Sequence, residues 1–205
     1  MTATKPACVG RPRGFDIDLA LEQALEVFWR NGYEGTSLVD LTEAMGIKKP
    51  SLYAAFGNKE QLFIKAIELY ENRPDSLFHQ AIQLESTADF IRKLLVGGAE
   101  QLTDCSHPQG CALIKSTLSC SEASESIKTA LNAHKEKHFS YFLGRFEQAK
   151  ANGELAAGVE PIDISNIMGT FFNGMSIQAT EGLSREELKR AAELIADSVI
   201  ARCLN

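Results

Sequence analysis

Apolar side chains recur three and four positions apart along nearly all of this chain, and no stretch shows the alternation of β-branched and polar residues typical of a half-buried strand. That period predicts an all-α fold. The first helix should run from just after Asp16 to Asn31, with Ile17, Leu21, Ala24, Leu25 and Phe28 on one face. Gly32 closes it, because glycine tolerates the left-handed conformation of a helix end. A short second helix opens at Ser37, with Asp40 three residues on to complete a cap, and stops at Gly46. A third begins at Pro50, which has no N–H to leave unpaired in a first turn, and stops at Gly57. Asn58 and Gln61 cap a fourth, with Leu62, Ala66 and Tyr70 facing inward, before the break at Pro74. Further helices are predicted over 87–103, 110–120, 123–151, 163–180 and 185–203, the last opened by Ser184 with Glu187. About nine helices result.

A chain of 205 residues can bury a proper core, and 44% hydrophobic with 23% charged residues is a globular composition. No apolar run approaches the ~20 residues that cross a bilayer. Met1 to Gly14 is polar and basic, unlike a secretory signal. The five cysteines are odd in number and form no CxxC pair, which favours reduced thiols in the cytoplasm. A net charge of −6 argues against nucleic acid only if it is evenly spread. It is not: residues 1–73 hold 9 of the 21 basic and 10 of the 27 acidic side chains, so most of the acidic excess lies further on. Lys5, Arg11 and Arg13 mark a leading arm, and Lys48, Lys49 and Lys59 cluster around one turn.

That turn is the informative stretch, Thr36 to Lys59. Two short helices flank Gly46-Ile47-Lys48-Lys49, a turn of the length that sets helices at a steep angle. Leu38, Leu41, Ala44, Ile47 and Leu52 can bury together, leaving Lys48, Lys49, Ser51 and Tyr53 to project from the amino end of the later helix. A helix so presented fits the major groove, its positive end toward phosphate. The pattern resembles the TetR family of transcriptional regulators: Thr36-Ser37, Leu41, Ala44, Gly46, Ile47, Lys49, Ser51, Leu52, Tyr53, Phe56, Lys59, Glu60 and Leu62 match it. So do Gly10-Arg11-Pro12-Arg13-Gly14, Phe28, Gly32 and Tyr33 in the lead-in. The match covers the first 65 residues or so. It implies a three-helix helix-turn-helix DNA-binding domain (residues 15–73) behind a flexible basic arm (1–14), followed by a helical effector-binding and dimerisation domain (74–205). It also implies that Tyr53 and Lys59 touch phosphate, that Thr36 and Ser37 contact DNA from the second helix, and that Lys49 and Ser51 reach into the groove. Arg11 and Arg13 would enter a flanking minor groove. Ala54 and Ala55 depart from the larger polar residues of many relatives, so readout there would be apolar contact with thymine methyls, leaving Lys48, Lys49, Ser51 and DNA shape to specify sequence.

The resemblance further implies a homodimer on palindromic double-stranded operator DNA, acting as a repressor that a small molecule or an oxidant releases. Two stripes could form the dimer: Ile164, Met168, Phe171 and Met175 on one helix, and Leu188, Ala192, Ile195 and Val199 on the next. The alternative is that both pack on their own domain, but a helix-turn-helix protein needs two half-sites for affinity, which favours the dimer. Cys105, His107, Cys111 and Cys120 resemble a subgroup with a Gly-Cys pair in which some members sense electrophiles or oxidants; a thiol near a helix start and a histidine would have its thiolate stabilised. The competing reading makes Cys111 and Cys120 small buried apolar residues. Phe142 and Phe171 belong to an aromatic set suited to an apolar pocket or to core. His134 and His138, four apart, have chelating spacing, but such pairs usually line surfaces or pockets, and no metal or other cofactor is expected. Nor is an enzyme: Cys111 and four histidines lack an orienting group and an oxyanion loop. A helical protein–protein adaptor would leave the Lys48–Lys59 cluster unexplained.

Overall fold

The computed structural model describes residues 14–73, 76–118 and 125–205, apart from the Leu118 side chain. Arg11, Arg13 and Cys120 lie outside the described residues. Among the described residues ten helices follow one another: α1 (Ile17–Asn31), α2 (Leu38–Ala44), α3 (Lys49–Phe56), α4 (Lys59–Glu71), α5 (Leu77–Ile82), α6 (Thr87–Leu102), α7 (Ala112–Leu118), α8 (Glu125–Ala151), α9 (Pro161–Thr180) and α10 (Arg185–Cys203). The only pairing of extended backbone among the described residues is one bridge between Leu155 and Leu204, which ties the chain's end back to the loop after α8.

The ends of the helices are set by local chemistry. Asp16 accepts hydrogen bonds from the N–H groups of Asp18 and Leu19, and reciprocal capping boxes open α2 (Ser37 with Asp40), α4 (Asn58 with Gln61) and α10 (Ser184 with Glu187). Pro50 stands one residue inside α3, since Lys49 is the first helical residue and Lys48 the cap. Gly57 ends α3 at φ +82, a left-handed conformation that glycine adopts without the strain a side chain would bring, and so the chain turns the α3–α4 corner. The helix that periodicity missed is α5. At six residues it is under two turns, too short to display a period, and its start rests on Ser76 accepting from the His79 N–H.

Helices α1 to α4 bury Leu25, Phe28, Leu41, Leu52, Phe56, Leu62 and Phe63, with Phe28 edge-on to Phe63 at 5.0 Å. Burying side chains such as Leu52 and Phe56 contributes about 1.5–3 kcal/mol each. In the larger part, α6 is the central helix: α10, α9 and α5 pack on it, and α8 packs on α9. The core is continuous between the two parts, because α7 touches both α1 and α4, and α4 also meets α8.

Candidate nucleic-acid interface and effector cavity

Leu52 and Phe56 anchor α3 in the core, and that anchoring turns its amino end outward. Lys48, Lys49 and Pro50 are exposed there, Ser51 is half-buried, and Tyr53 is 49% exposed one residue past the buried Leu52. Val39 on α2 and Ala54 on α3 are also exposed. Lys59, the first residue of α4, is half-buried, with its ammonium 4.3 Å from the centre of the Tyr33 ring. Burial pushes its pKa down, against the opposing pull of the Glu34 and Asp40 carboxylates.

Two residues expected at this surface are differently employed. Thr36 is only 2% exposed and its hydroxyl donates to the Gly32 carbonyl at 2.7 Å, so it closes the α1–α2 turn and faces inward. The Ser37 side chain is exposed but accepts from the Asp40 N–H at 3.1 Å, while the Ser37 N–H donates to Asp40 at 2.7 Å; it is first of all a helix cap.

A cavity of about 750 Å³ lies where α1 and α4 meet the larger helical part. Its lining includes Trp29 of α1, Tyr70 and Glu71 of α4, Phe78 of α5, Cys111 before α7, His138, Phe139 and Phe142 of α8, and Phe172 of α9. His107 lines it too, but its ring stacks on Trp29 with centroids 4.6 Å apart, and its Nδ1 lies 2.9 Å from the Pro108 carbonyl. Cys111 is buried. Its N–H donates to Ser176 Oγ at 2.8 Å, and the Tyr70 hydroxyl reaches its sulfur at 3.6 Å. Burial raises the Cys111 pKa, more than the hydrogen bonds from Ile114, Tyr70 and Leu113 lower it. The thiolate activation expected from a helix start and a histidine is therefore overridden by desolvation. Burial also pushes the Tyr70 hydroxyl well above its ordinary value. Cys105 is exposed and is not in the cavity lining.

The cavity's least anticipated residue is Glu71. Its side chain is 3% exposed, with His134 Nδ1 at 2.5 Å, His138 Nε2 at 3.2 Å and Lys137 Nζ at 3.9 Å. The His138 contact is close but is not an aligned hydrogen bond, since Glu71 Oε1 has no geometrically sound donor. Burial alone would raise the Glu71 pKa; His138 and His134 together more than reverse that, and the carboxyl titrates below its ordinary value. The two histidines thus clasp a carboxylate from α4, and among the described residues no three ligating side chains are arranged for a metal ion. Glu71 follows Phe63 and Ile67 at four-residue spacing, and a carboxylate on that buried stripe was the available sign that it needed partners.

Burial divides the two stripes expected at a dimer face. Ile164, Met168, Met175, Leu188, Ala192 and Val199 are inside their own chain, where α9 and α10 pack on α6. A groove between α9 and α10 is lined by Ile167, Ala191 and the expected Phe171, Met175, Leu188 and Ile195, and beside it Leu194 is 72% exposed. Phe171 lies on this outer groove and not in the cavity; its neighbour Phe172, one helical step round, lines the cavity. Among the described residues no helix is long and apolar enough to cross a membrane.

Comparison with known proteins agrees with this geometry. Residues 20–66 match the family described as bacterial regulatory proteins, tetR family. The chain is 36% identical over 192 residues to the HTH-type transcriptional repressor ComR of Escherichia coli strain K12, covering 89% of this chain and 88% of ComR. It is 32% identical over 158 residues to the uncharacterized HTH-type transcriptional regulator YezE of Bacillus subtilis strain 168, covering 77% and 80%. Among solved structures, a cysteine mutant of the TetR family regulator CifR, complexed with 26-bp double-strand operator DNA, superposes with a TM-score of 0.86 at 35% identity over 92% of this chain and 99% of that one. With an outward-facing α3 on a helix-turn-helix and relatives aligned over most of its length, the chain belongs to the TetR family of DNA-binding transcriptional regulators.

Proposed function

We propose that the protein represses transcription as a cytoplasmic homodimer that grips palindromic operator DNA through α3 and lets go when the cavity beside Cys111 is occupied or its thiol is modified. The observation that carries the DNA reading is the polarity of α3: Leu52 and Phe56 in the core, Lys48, Lys49 and Tyr53 in solvent at its amino end. Lys48, Lys49 and Ser51 meet base edges, Tyr53 and Lys59 meet phosphates, and Ser37 acts mainly by holding α2 in place. Both the repressor name of ComR and the operator complex of CifR support this assignment. The outer face of α9 and α10, around Ile167, Phe171, Leu194 and Ile195, pairs with its twofold mate so that two copies of α3 reach successive half-sites.

The release step is supported by the lining of the cavity. Trp29, Tyr70 and Glu71 come from the DNA-binding helices α1 and α4, so an occupant presses directly on the elements that carry α3. A duplex selected by the protein from a random-sequence pool provides the test. Binding should favour a palindrome, with log affinity falling linearly in log salt. Lys49→Ala should weaken binding and relax sequence preference. Cys111→Ser should bind normally and lose release by an electrophile or oxidant; unchanged release in that variant removes thiol modification and leaves occupancy of the cavity as the trigger.

A further inference from the structure

We infer that Tyr33 is a positioning residue for operator binding, its ring face holding the Lys59 ammonium where it meets the DNA backbone; this rests on Lys59 being a phosphate contact. The Lys59 ammonium stands 4.3 Å from the centre of the Tyr33 ring. That ring is itself immobilised, edge-on to Phe63 at 5.2 Å and stacked with Phe28 at 6.4 Å. Tyr33 lies in the α1–α2 turn, where its carbonyl accepts from the Thr36 N–H at 3.4 Å, and Lys59 opens α4, so one ammonium is referenced to both that turn and α4. The Glu34 and Asp40 carboxylates also act on this ammonium, and Asp40 accepts from the Ser37 N–H at 2.7 Å as well.

The ring adds to Lys59 a kind of contact that the nearby carboxylates do not supply. A carboxylate partner would neutralise the ammonium and compete with phosphate, whereas an aromatic face attracts it through its quadrupole and leaves the charge intact. Lysine carries a long stem whose rotamer freedom must be surrendered on binding, and the ring has already fixed it. Partial burial, which depresses the Lys59 pKa, has already stripped some of its hydration.

The test uses the full-length protein and the selected duplex, with affinity followed across salt. Lys59→Met should reduce the slope of log affinity against log salt by about 0.9 per protomer. Tyr33→Leu should reproduce at least half of that reduction and add nothing to Lys59→Met in the double variant, while Tyr33→Phe, which keeps the ring face, should bind as wild type. In the nuclear magnetic resonance spectrum, the Lys59 ε-methylene protons should lie upfield under the Tyr33 ring current. A folded Tyr33→Leu variant with the wild-type slope overturns the inference. Should that variant not fold, absence of the upfield shift in the wild type overturns it equally. An unchanged slope in Lys59→Met removes the phosphate contact itself, a failure distinct from that of Tyr33.

Discussion

Thr36 and Tyr53 are both expected at the DNA surface from the family resemblance, yet the chain places them in opposite ways. Tyr53 extends into solvent, whereas Thr36 is buried with its hydroxyl on the Gly32 carbonyl. Thr36→Val should therefore cost about 1 kcal/mol of stability by leaving a buried carbonyl without its donor. It should leave the salt dependence of operator binding unchanged, and denaturant unfolding beside salt titration checks both halves. Gly110 is a second position where a side chain's absence is structural. It has φ +81, and a β-carbon there would lie 2.4 Å from Thr180 Oγ1 and 2.9 Å from the Ser176 carbonyl oxygen. Gly110→Ala combines left-handed backbone strain with overpacking and should destabilise the fold by about 2–4 kcal/mol in urea unfolding. Because Cys111 follows immediately and is tied to Ser176, the same variant should loosen the cavity wall and expose the thiol to faster alkylation.

Between helices, the decisive contact is the clasp of α4 by α8. Glu71 presents a buried carboxylate to His134 and His138, four apart on one face of α8. Its folded pKa is depressed below the ordinary carboxyl value, so the stability it contributes is full above that value and is lost as pH falls through the folded pKa. Glu71→Gln should lower the unfolding free energy by about 1–2 kcal/mol near neutral pH, and the gap to wild type should close under acid conditions. A gap that persists with the carboxyl protonated would point to packing and not to charge. The same pair shows why spacing alone misleads. Two histidines four apart suit a metal, but the partner that folding supplies across the interface is a single carboxylate.

In the molecule as a whole, the core runs without a break from α1 to α10, so a push in the cavity need not cross a flexible linker to reach α3. The outer groove of α9 and α10 leaves apolar side chains in water, which a twofold partner would cover. Leu194→Glu places a charge at the most exposed large apolar residue, where the monomer core is untouched. Light scattering should then find folded monomers in place of dimers, and operator affinity should fall because two half-sites are no longer read together. Dimers that survive with full affinity would locate the interface elsewhere.

Helix existence and helix ends were legible from residues alone, because caps, glycines and apolar periods act within a few positions of one another. Asp16, Ser37, Asn58 and Ser184 open their helices where local pattern places them, and only the six-residue α5 was too short to leave a period. The amino end of α3 was legible for the same reason: its lysines and tyrosine are set by their offset from Leu52 and Phe56. Which face of α9 and α10 meets their own core, and which meets water, was not, because both faces are apolar and only the position of α6 tells them apart. The environment of Cys111 and the partners of Glu71 were hidden too. Burial and charge pairing depend on atoms brought from tens of residues away, and no local rule carries that distance.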